Sequence, residues 1–348
     1  GSMKKYGYLD KVIGFLKEND VESVVFDKVL PNPIKQHVME AAQLCRDEHC
    51  DFVIGLGGGS SIDSAKSIAI MACNEGDYWD YILSGSGKGR PVKKALPIIA
   101  IPTTAGTGTE TDPWTVITHE TAQEKIGFGC QYTYPVLSII DPELMTSIPP
   151  HLTAYQGFDA FFHAAEGFIA NCATPISDLY ALEAIRLIYK YLPIAVADGR
   201  NLKARAKLAW ASTLAGMVES TSSCTSEHSM EHAMSAFYPQ LPHGAGLICL
   251  SAAYFETFRN DCMKRYMKMA EAMTQKKSNR PSDFIDALLV MQKECHVQDL
   301  KLSDWGIQKN DLSKMVQNAR ETMGDLFRLD PRPLRDEEIL DIYEKSYK

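Results

Sequence analysis

At 348 residues, 45% of them hydrophobic and 23% charged, the chain has the make-up of a globular protein large enough for two cores. Its 36 basic and 44 acidic residues leave a net charge of −8, which argues against a basic phosphate-binding face and against nucleic acid as the partner. No run approaches the ~18 apolar residues of a membrane span. The nine cysteines lack a CxxC pair or a framework spacing. They read as free thiols in a reducing cytoplasm, not as disulfides or a thiolate zinc site. Gly1-Ser2 ahead of Met3 reads as a tag remnant, with no secretory signal behind it.

In chain order, residues 8–18 have helical spacing and 21–27 the apolar texture of a strand. Pro31-Asn32-Pro33 breaks the chain before a second helical stretch at about 35–48. Residues 51–56 form a short apolar strand feeding into Gly57-Gly58-Gly59-Ser60, and 61–73 read as a helix with Ser60 or Ser61 as its N-cap. Another buried strand, 96–101, runs into a loop at 102–109. Strands alternating with helices, with glycine turns at strand ends, predict a doubly wound parallel sheet. After about residue 146 the strand signals stop and long helical patterns follow, for example at 177–192 and 203–218. The expected division is an α/β domain over 1–146 and an all-helical domain over 147–348, with Pro149-Pro150 near the join.

Both loops fall where a doubly wound sheet binds ligands, at the carboxyl ends of its strands. Glycines after a strand let the backbone approach a phosphate, and the following helix offers unpaired N–H groups and the positive end of its dipole. Three consecutive glycines exceed what a tight turn requires, which favours phosphate over a plain turn, although the segment is not a full GxGxxG fingerprint. The 102–109 loop holds four threonines and two glycines. Thr103, Thr104 and Thr107 are candidates for ribose or phosphate oxygens; a polar surface loop is the plain alternative.

The second half carries the sharper chemistry. Asp159 and His163 are four residues apart, as are His228 and His232, so each pair shares one helix face. His243 follows in a loop-like Leu-Pro-His-Gly segment. Any one of these histidines alone is more simply a core residue. Paired spacing and clustering favour a divalent ion held by carboxylate and imidazole, with Fe²⁺, Zn²⁺, Co²⁺ and Mn²⁺ all suited. Glu166 and Glu231 are candidates for backing the ligands or for structural pairs. The remaining histidines (His37, His49, His119, His151, His296) have no such company.

With these residues in view, the chain resembles the iron-containing (group III) alcohol dehydrogenase family over nearly its whole length. The matching segments are Gly57 to Asp63, Pro102 to Glu110, Asp141 to Leu144, Gly157 to His163 and Leu241 to Gly244. The resemblance implies a dinucleotide-binding α/β domain on a helical metal-binding domain (dehydroquinate synthase-like), with the active site in the cleft between. It implies that Asp159, His163, His228 and His243 hold one divalent ion, Fe²⁺ most often and Zn²⁺ sometimes. It also implies that Gly58, Gly59, Ser60 and Asp63 line the pyrophosphate of NAD or NADP, and that Thr103, Thr104, Thr107 and Lys125 line the rest. The expected activity is hydride transfer between a small alcohol and its aldehyde or ketone, the metal polarising the oxygen. His232 is the candidate proton relay, with orientation of His228 or the substrate as its other role. A homodimer is expected from the resemblance alone.

Two departures from the family pattern stand out. The family begins with a longer front, including a leading strand pair and the first cofactor-binding strand, whereas this chain starts in the following helix. The sheet is therefore expected to expose an edge. Asp112 stands where the family carries Thr, either touching the nicotinamide end or facing solvent. The alternative function is a truncated, non-catalytic metal-binding homologue unable to hold NAD(P). A metal-dependent lyase of the dehydroquinate synthase type shares the architecture, but His163 and the Leu-Pro-His-Gly segment fit the dehydrogenase better.

Overall fold

The computed structural model describes residues 1–347. After a single helical turn α1 (Ser2–Lys5), α2 (Tyr8–Glu18) and α3 (Lys35–Asp47) lead into β1 (Val53–Gly57), α4 (Gly59–Cys73) and β2 (Ile98–Pro102). β3 (Thr115–His119), β4 (Glu124–Phe128) and β5 (Leu137–Ser138) follow. β1, β2 and β5 form a parallel sheet in that order, with Val53 opposite Ile98 and Gly57 opposite Pro102. In this register β1 and β2 end at one level, so their glycine and threonine loops lie side by side. The Thr103 N–H bonds to the Gly57 carbonyl at 2.8 Å, tying them together.

Two local expectations need correction, and one hairpin was not anticipated. Residues 21–27 form no strand; the stretch is irregular, with Val24 and Val25 exposed and no ladder partner among the described residues. A β pattern without a neighbour to complete its hydrogen bonds has nothing to hold it as a strand. The N-cap of α4 is Gly58, which places Ser60 and Ser61 inside the first turn; no side-chain cap is made there. β3 and β4 form an antiparallel hairpin, pairing Thr115 with Phe128 and His119 with Glu124. Two β-rich runs separated by four residues, the last of which (Gln123) has φ +53°, carry this signal in the sequence.

The rest is helical. α5 (Pro150–Ile169), α6 (Pro175–Ala197), α7 (Leu202–Thr221), α8 (Ser226–Phe237) and α9 (His243–Thr257) surround the site. α10 (Met263–Thr274), α11 (Ser282–Glu294), α12 (Leu312–Phe327) and α13 (Asp336–Ser346) close the outer side. α5 is the axis: Phe158, Phe161, Phe162 and Phe168 are fully buried on it, and its neighbours are α6, α7 and α9. Truncating any one of those rings to Ala costs about 3–5 kcal/mol. Because α5 is apolar nearly all round, its polar residues Asp159, His163 and Glu166 are buried too, and burial of that kind demands partners. The α/β and helical parts meet closely where Gly108 lies against Gly216 of α7; a Cβ on Gly108 would fall 2.5 Å from the Gly216 nitrogen. No helix among the described residues is long and apolar enough to cross a membrane.

Candidate metal and cofactor site

The four predicted ligands converge. α5 presents Asp159 and His163, α8 presents His228, and His243 opens α9. The Nε2 atoms of His243, His163 and His228 stand 3.4, 3.5 and 3.7 Å from a single atom, Asp159 Oδ1. Donors bonded to one tetrahedral ion at about 2.1 Å are themselves about 3.4 Å apart, so these separations fit a shared ion. Asp159 Oδ1 and His228 Nε2 are buried with no hydrogen-bond partner among the described residues, which leaves their lone pairs free for a metal. Burial alone pushes the Asp159 carboxyl up, but the flanking His163 and His243 hold it well below the ordinary carboxylate value.

Each ligand histidine has a carboxylate behind its other nitrogen. His228 Nδ1 is in close contact with Glu166 Oε1, and His243 Nδ1 with Glu231 Oε2. Carboxylates in this position fix the ring and its tautomer and raise its basicity toward a metal. The third, Glu219 on α7, lies 3.2 Å from His163 Nδ1. The sequence reading missed Glu219 because no short spacing links it to His163; only the packing of α5 on α7 brings them together. Glu166 also accepts from the Thr225 N–H and hydroxyl, both at 2.8 Å, and Asp330 accepts from the Ser226 N–H at 3.0 Å. Two carboxyl groups thus accept from the first N–H groups of α8 and set the position of His228.

His163, His228 and His243 of this centre line a cleft that opens to solvent. Of the residues expected around the cofactor, Gly59, Ser60, Asp63, Thr107 and Lys125 line it, and so does His232. Gly58, Thr103 and Thr104 are not among its lining residues; they shape it from behind, Gly58 lying where a Cβ would sit 3.1 Å from Thr104 Cγ2. Gly59 is tighter still: a Cβ there would lie 2.5 Å from Thr107 Cγ2. Asp63 accepts from the Thr109 hydroxyl at 2.7 Å and from the Val116 N–H at 3.0 Å, so its carboxylate braces the threonine loop and β3. Lys125 Nζ is 3.2 Å from Glu231 Oε2, within the group that supports His243.

Asp112 does not face solvent. It is buried against the fully buried Lys66, Oδ1 to Nζ 3.1 Å, and lines the cleft. Burial pushes its carboxyl up to about 7 against the downward pull of Lys66. Lys66 also donates to Thr109 Oγ1 and to the Trp114 carbonyl, both at 2.7 Å. This cation was missed in the sequence, although it sits one turn beyond Asp63 on α4. His232 is buried, with Nδ1 unpartnered among the described residues. Burial, aided by Lys125 and His243, holds its pKa well below the ordinary imidazole value, so the ring is neutral.

Comparison with known proteins decides the family. The model described as iron-containing alcohol dehydrogenase matches residues 1–142, and that of the family's C-terminal part matches residues 153–347. The chain belongs to the iron-containing alcohol dehydrogenase family. It is 34% identical over 350 residues to the choline dehydrogenase of Bacillus subtilis, covering 99% of this chain and 85% of that protein. It is 40% identical over 240 residues to alcohol dehydrogenase 4 of Schizosaccharomyces pombe, covering 69% of this chain and 56% of the relative. The crystal structure of an archaeal halo-thermophilic Red Sea brine pool alcohol dehydrogenase bound to NZQ superposes with a TM-score of 0.95 at 33% identity, covering 99% of this chain and 89% of that one. For an iron-containing alcohol dehydrogenase fold, a dinucleotide-binding α/β part and a helical metal-binding part, the family implies a metal ion and NAD(H).

Proposed function

We propose that the chain is a metal-dependent, NAD(P)-linked oxidoreductase that interconverts small alcohols with aldehydes or ketones. The observation that carries this reading is the convergence of three histidines on Asp159 Oδ1 in the same cleft that Gly59, Ser60 and Thr107 line. Asp159, His163, His228 and His243 would hold the ion; the donor set suits Fe²⁺, with Zn²⁺ as the other fit. Once bound, the ion supplies Lewis acidity toward the substrate oxygen, and the nicotinamide supplies the hydride acceptor or donor.

The chain's own groups do the rest. By helix geometry the first N–H groups of α4 lack intrahelical acceptors and, with the helix dipole, favour the dinucleotide phosphates beside Gly59 and Ser60. Asp63, Thr107 and Lys125 complete that side, with Gly58, Thr103 and Thr104 as the packing beneath it. Trp114, Val116, Met323 and Leu326 give the cleft an apolar wall that excludes water and suits a short carbon chain. His232, neutral and with Nδ1 free, is placed to take and release the proton that accompanies hydride transfer. The homodimer rests on the resemblance alone, and the cytoplasmic setting on nine cysteines without a disulfide framework spacing.

The test is calorimetric titration of Fe²⁺-loaded protein with NAD(H) and NADP(H), followed by a screen of short alcohols and aldehydes read by nicotinamide absorbance. Nucleotide binding with turnover is the expected result. Metal retention without nucleotide binding replaces this reading with that of a non-catalytic metal-binding homologue. His232→Ala is expected to lower kcat by about 10²–10⁴-fold with metal content unchanged; unchanged turnover removes His232 from proton transfer.

A further inference from the structure

The three ligand histidines are not backed alike. Glu166 and Glu231 are hydrogen-bonded to His228 and His243, whereas His163 Nδ1 and Glu219 Oε1, at 3.2 Å, are both buried without a hydrogen-bond partner among the described residues. A thiol stands at the same place. Cys224 Sγ lies 3.7 Å from Glu219 Oε2, and one donor atom each from His163, Glu219 and Cys224 fall within 4.8 Å of one another. All three side chains line the cleft.

We propose that His163 Nδ1, the Glu219 carboxylate and the Cys224 thiolate form a second divalent-ion site that takes Zn²⁺ in preference to Fe²⁺. Zinc bonds of about 2.0–2.3 Å to nitrogen, oxygen and sulfur place tetrahedral donors roughly 3.3–3.7 Å apart. Here His163 Nδ1 is 3.2 Å from Glu219 Oε1, and Cys224 Sγ is 3.7 Å from Oε2 of the same carboxylate. Small side-chain adjustments within the 4.8 Å cluster bring the three donors onto one ion. Nitrogen, oxygen and sulfur together suit a borderline-soft ion, and zinc stands above iron in the general affinity order, so both criteria select Zn²⁺. Binding releases to solvent the Cys224 S–H proton, the His163 Nδ1–H proton and the proton that burial favours on the Glu219 carboxyl. The thiolate, the carboxylate and the deprotonated ring then offset the charge of the buried ion. Because the three side chains line the cleft, zinc held by them would crowd the substrate and inhibit the iron-loaded protein. His163 would join the two ions through its opposite nitrogens; calling this the second site rests on the four-ligand reading above.

The experiment is titration of the metal-free chain with Co²⁺ as a coloured substitute for zinc, followed by absorbance. The expected first equivalent lacks thiolate-to-cobalt charge transfer, since Asp159 and three imidazoles contain no sulfur; the second shows that near-ultraviolet band. Cys224→Ser, close in size, keeps the first equivalent and loses both the band and the second. Glu219→Gln weakens the second equivalent at least about tenfold. Saturation at one equivalent overturns the site and leaves the four-ligand reading standing. A band on the first equivalent also overturns it, by making Cys224 a ligand of the first ion. A second equivalent that persists unchanged in Cys224→Ser does the same. Failure to bind any cobalt overturns both readings.

Discussion

The metal centre and the nucleotide turn border one cleft, yet the chain secures them by different means. At the metal centre, position is set by charge and hydrogen bonding: Asp159 faces three imidazoles, and buried carboxylates stand behind those rings. At the turn, position is set by the absence of atoms: Gly59 admits Thr107 to a distance that a Cβ would forbid, and Gly58 admits Thr104 to one that a Cβ would make tight. A polar group in the helical core that loses its partner leaves another one stranded. A turn that loses its fit shifts, and its backbone groups find water. The first region therefore fails abruptly and the second by degrees.

The largest expected effect breaks the first region. His228→Ala removes a ligand and leaves the fully buried Glu166 facing a void. Retention of Fe²⁺ should fall more than about 100-fold, beyond what loss of a supporting residue causes. Unfolding stability should drop by about 3–5 kcal/mol, the usual cost of breaking a buried pair from one side. Metal analysis after dialysis and a urea titration measure the two. A variant that keeps its full metal content ends the four-ligand reading. Next in size is Glu166→Gln, which keeps the shape of the side chain but weakens its hold on His228. Metal affinity should fall about 10–100-fold with the fold intact, and unchanged affinity would mean that Glu166 serves only α8.

How much of this was readable in the sequence follows the same division. Asp159, His163, His228 and His232 announce themselves through four-residue spacing, because a helix turns that spacing into one face. Glu166 and Glu231 lie on the same two helices and could be named as candidates for the same reason. Glu219 and Lys66 could not be, since what matters about them is which other element packs against them: α7 on α5, and the 109–114 loop on α4. Asp112 shows the limit, its sequence context being equally compatible with solvent and with the salt bridge to Lys66. The parallel pairing of β1 and β2 follows from apolar runs ending in glycine and threonine loops. Residues 21–27 have the same texture without a neighbour, and texture alone did not make a strand.

The third prediction sharpens the comparison by perturbing the turn and leaving the metal alone. Gly59→Ala places a Cβ 2.5 Å from Thr107 Cγ2, so the threonine loop must move. Overpacking of this kind costs about 1–3 kcal/mol. NAD(P)H affinity should fall while Fe²⁺ content stays at the wild-type value. Adding Thr107→Ser removes the offending methyl group but keeps a hydroxyl, and should restore part of both losses. If metal content falls together with nucleotide affinity, the two regions are one cooperative unit and the distinction between them is lost.

The smallest effect concerns the loop that starts α8. Burial raises the Asp330 carboxyl from its ordinary 3.8 to about 7, although it accepts from the Ser226 N–H and the Tyr254 hydroxyl. Between pH 4 and 7 the folded chain therefore keeps a proton that the unfolded chain has released, so this group's contribution makes stability fall as pH rises through that window. Asp330→Asn cannot titrate but retains an acceptor oxygen for both donors. It should lose about 1–2 kcal/mol less stability than the wild type between pH 4 and 7. That is below the full value of the shift, since the N-terminus of α8 favours the anion. Urea midpoints across the window at constant slope give the comparison. Parallel curves for the two proteins would place Asp330 in its ionised form throughout, its charge at the N-terminus of α8 then outweighing its burial.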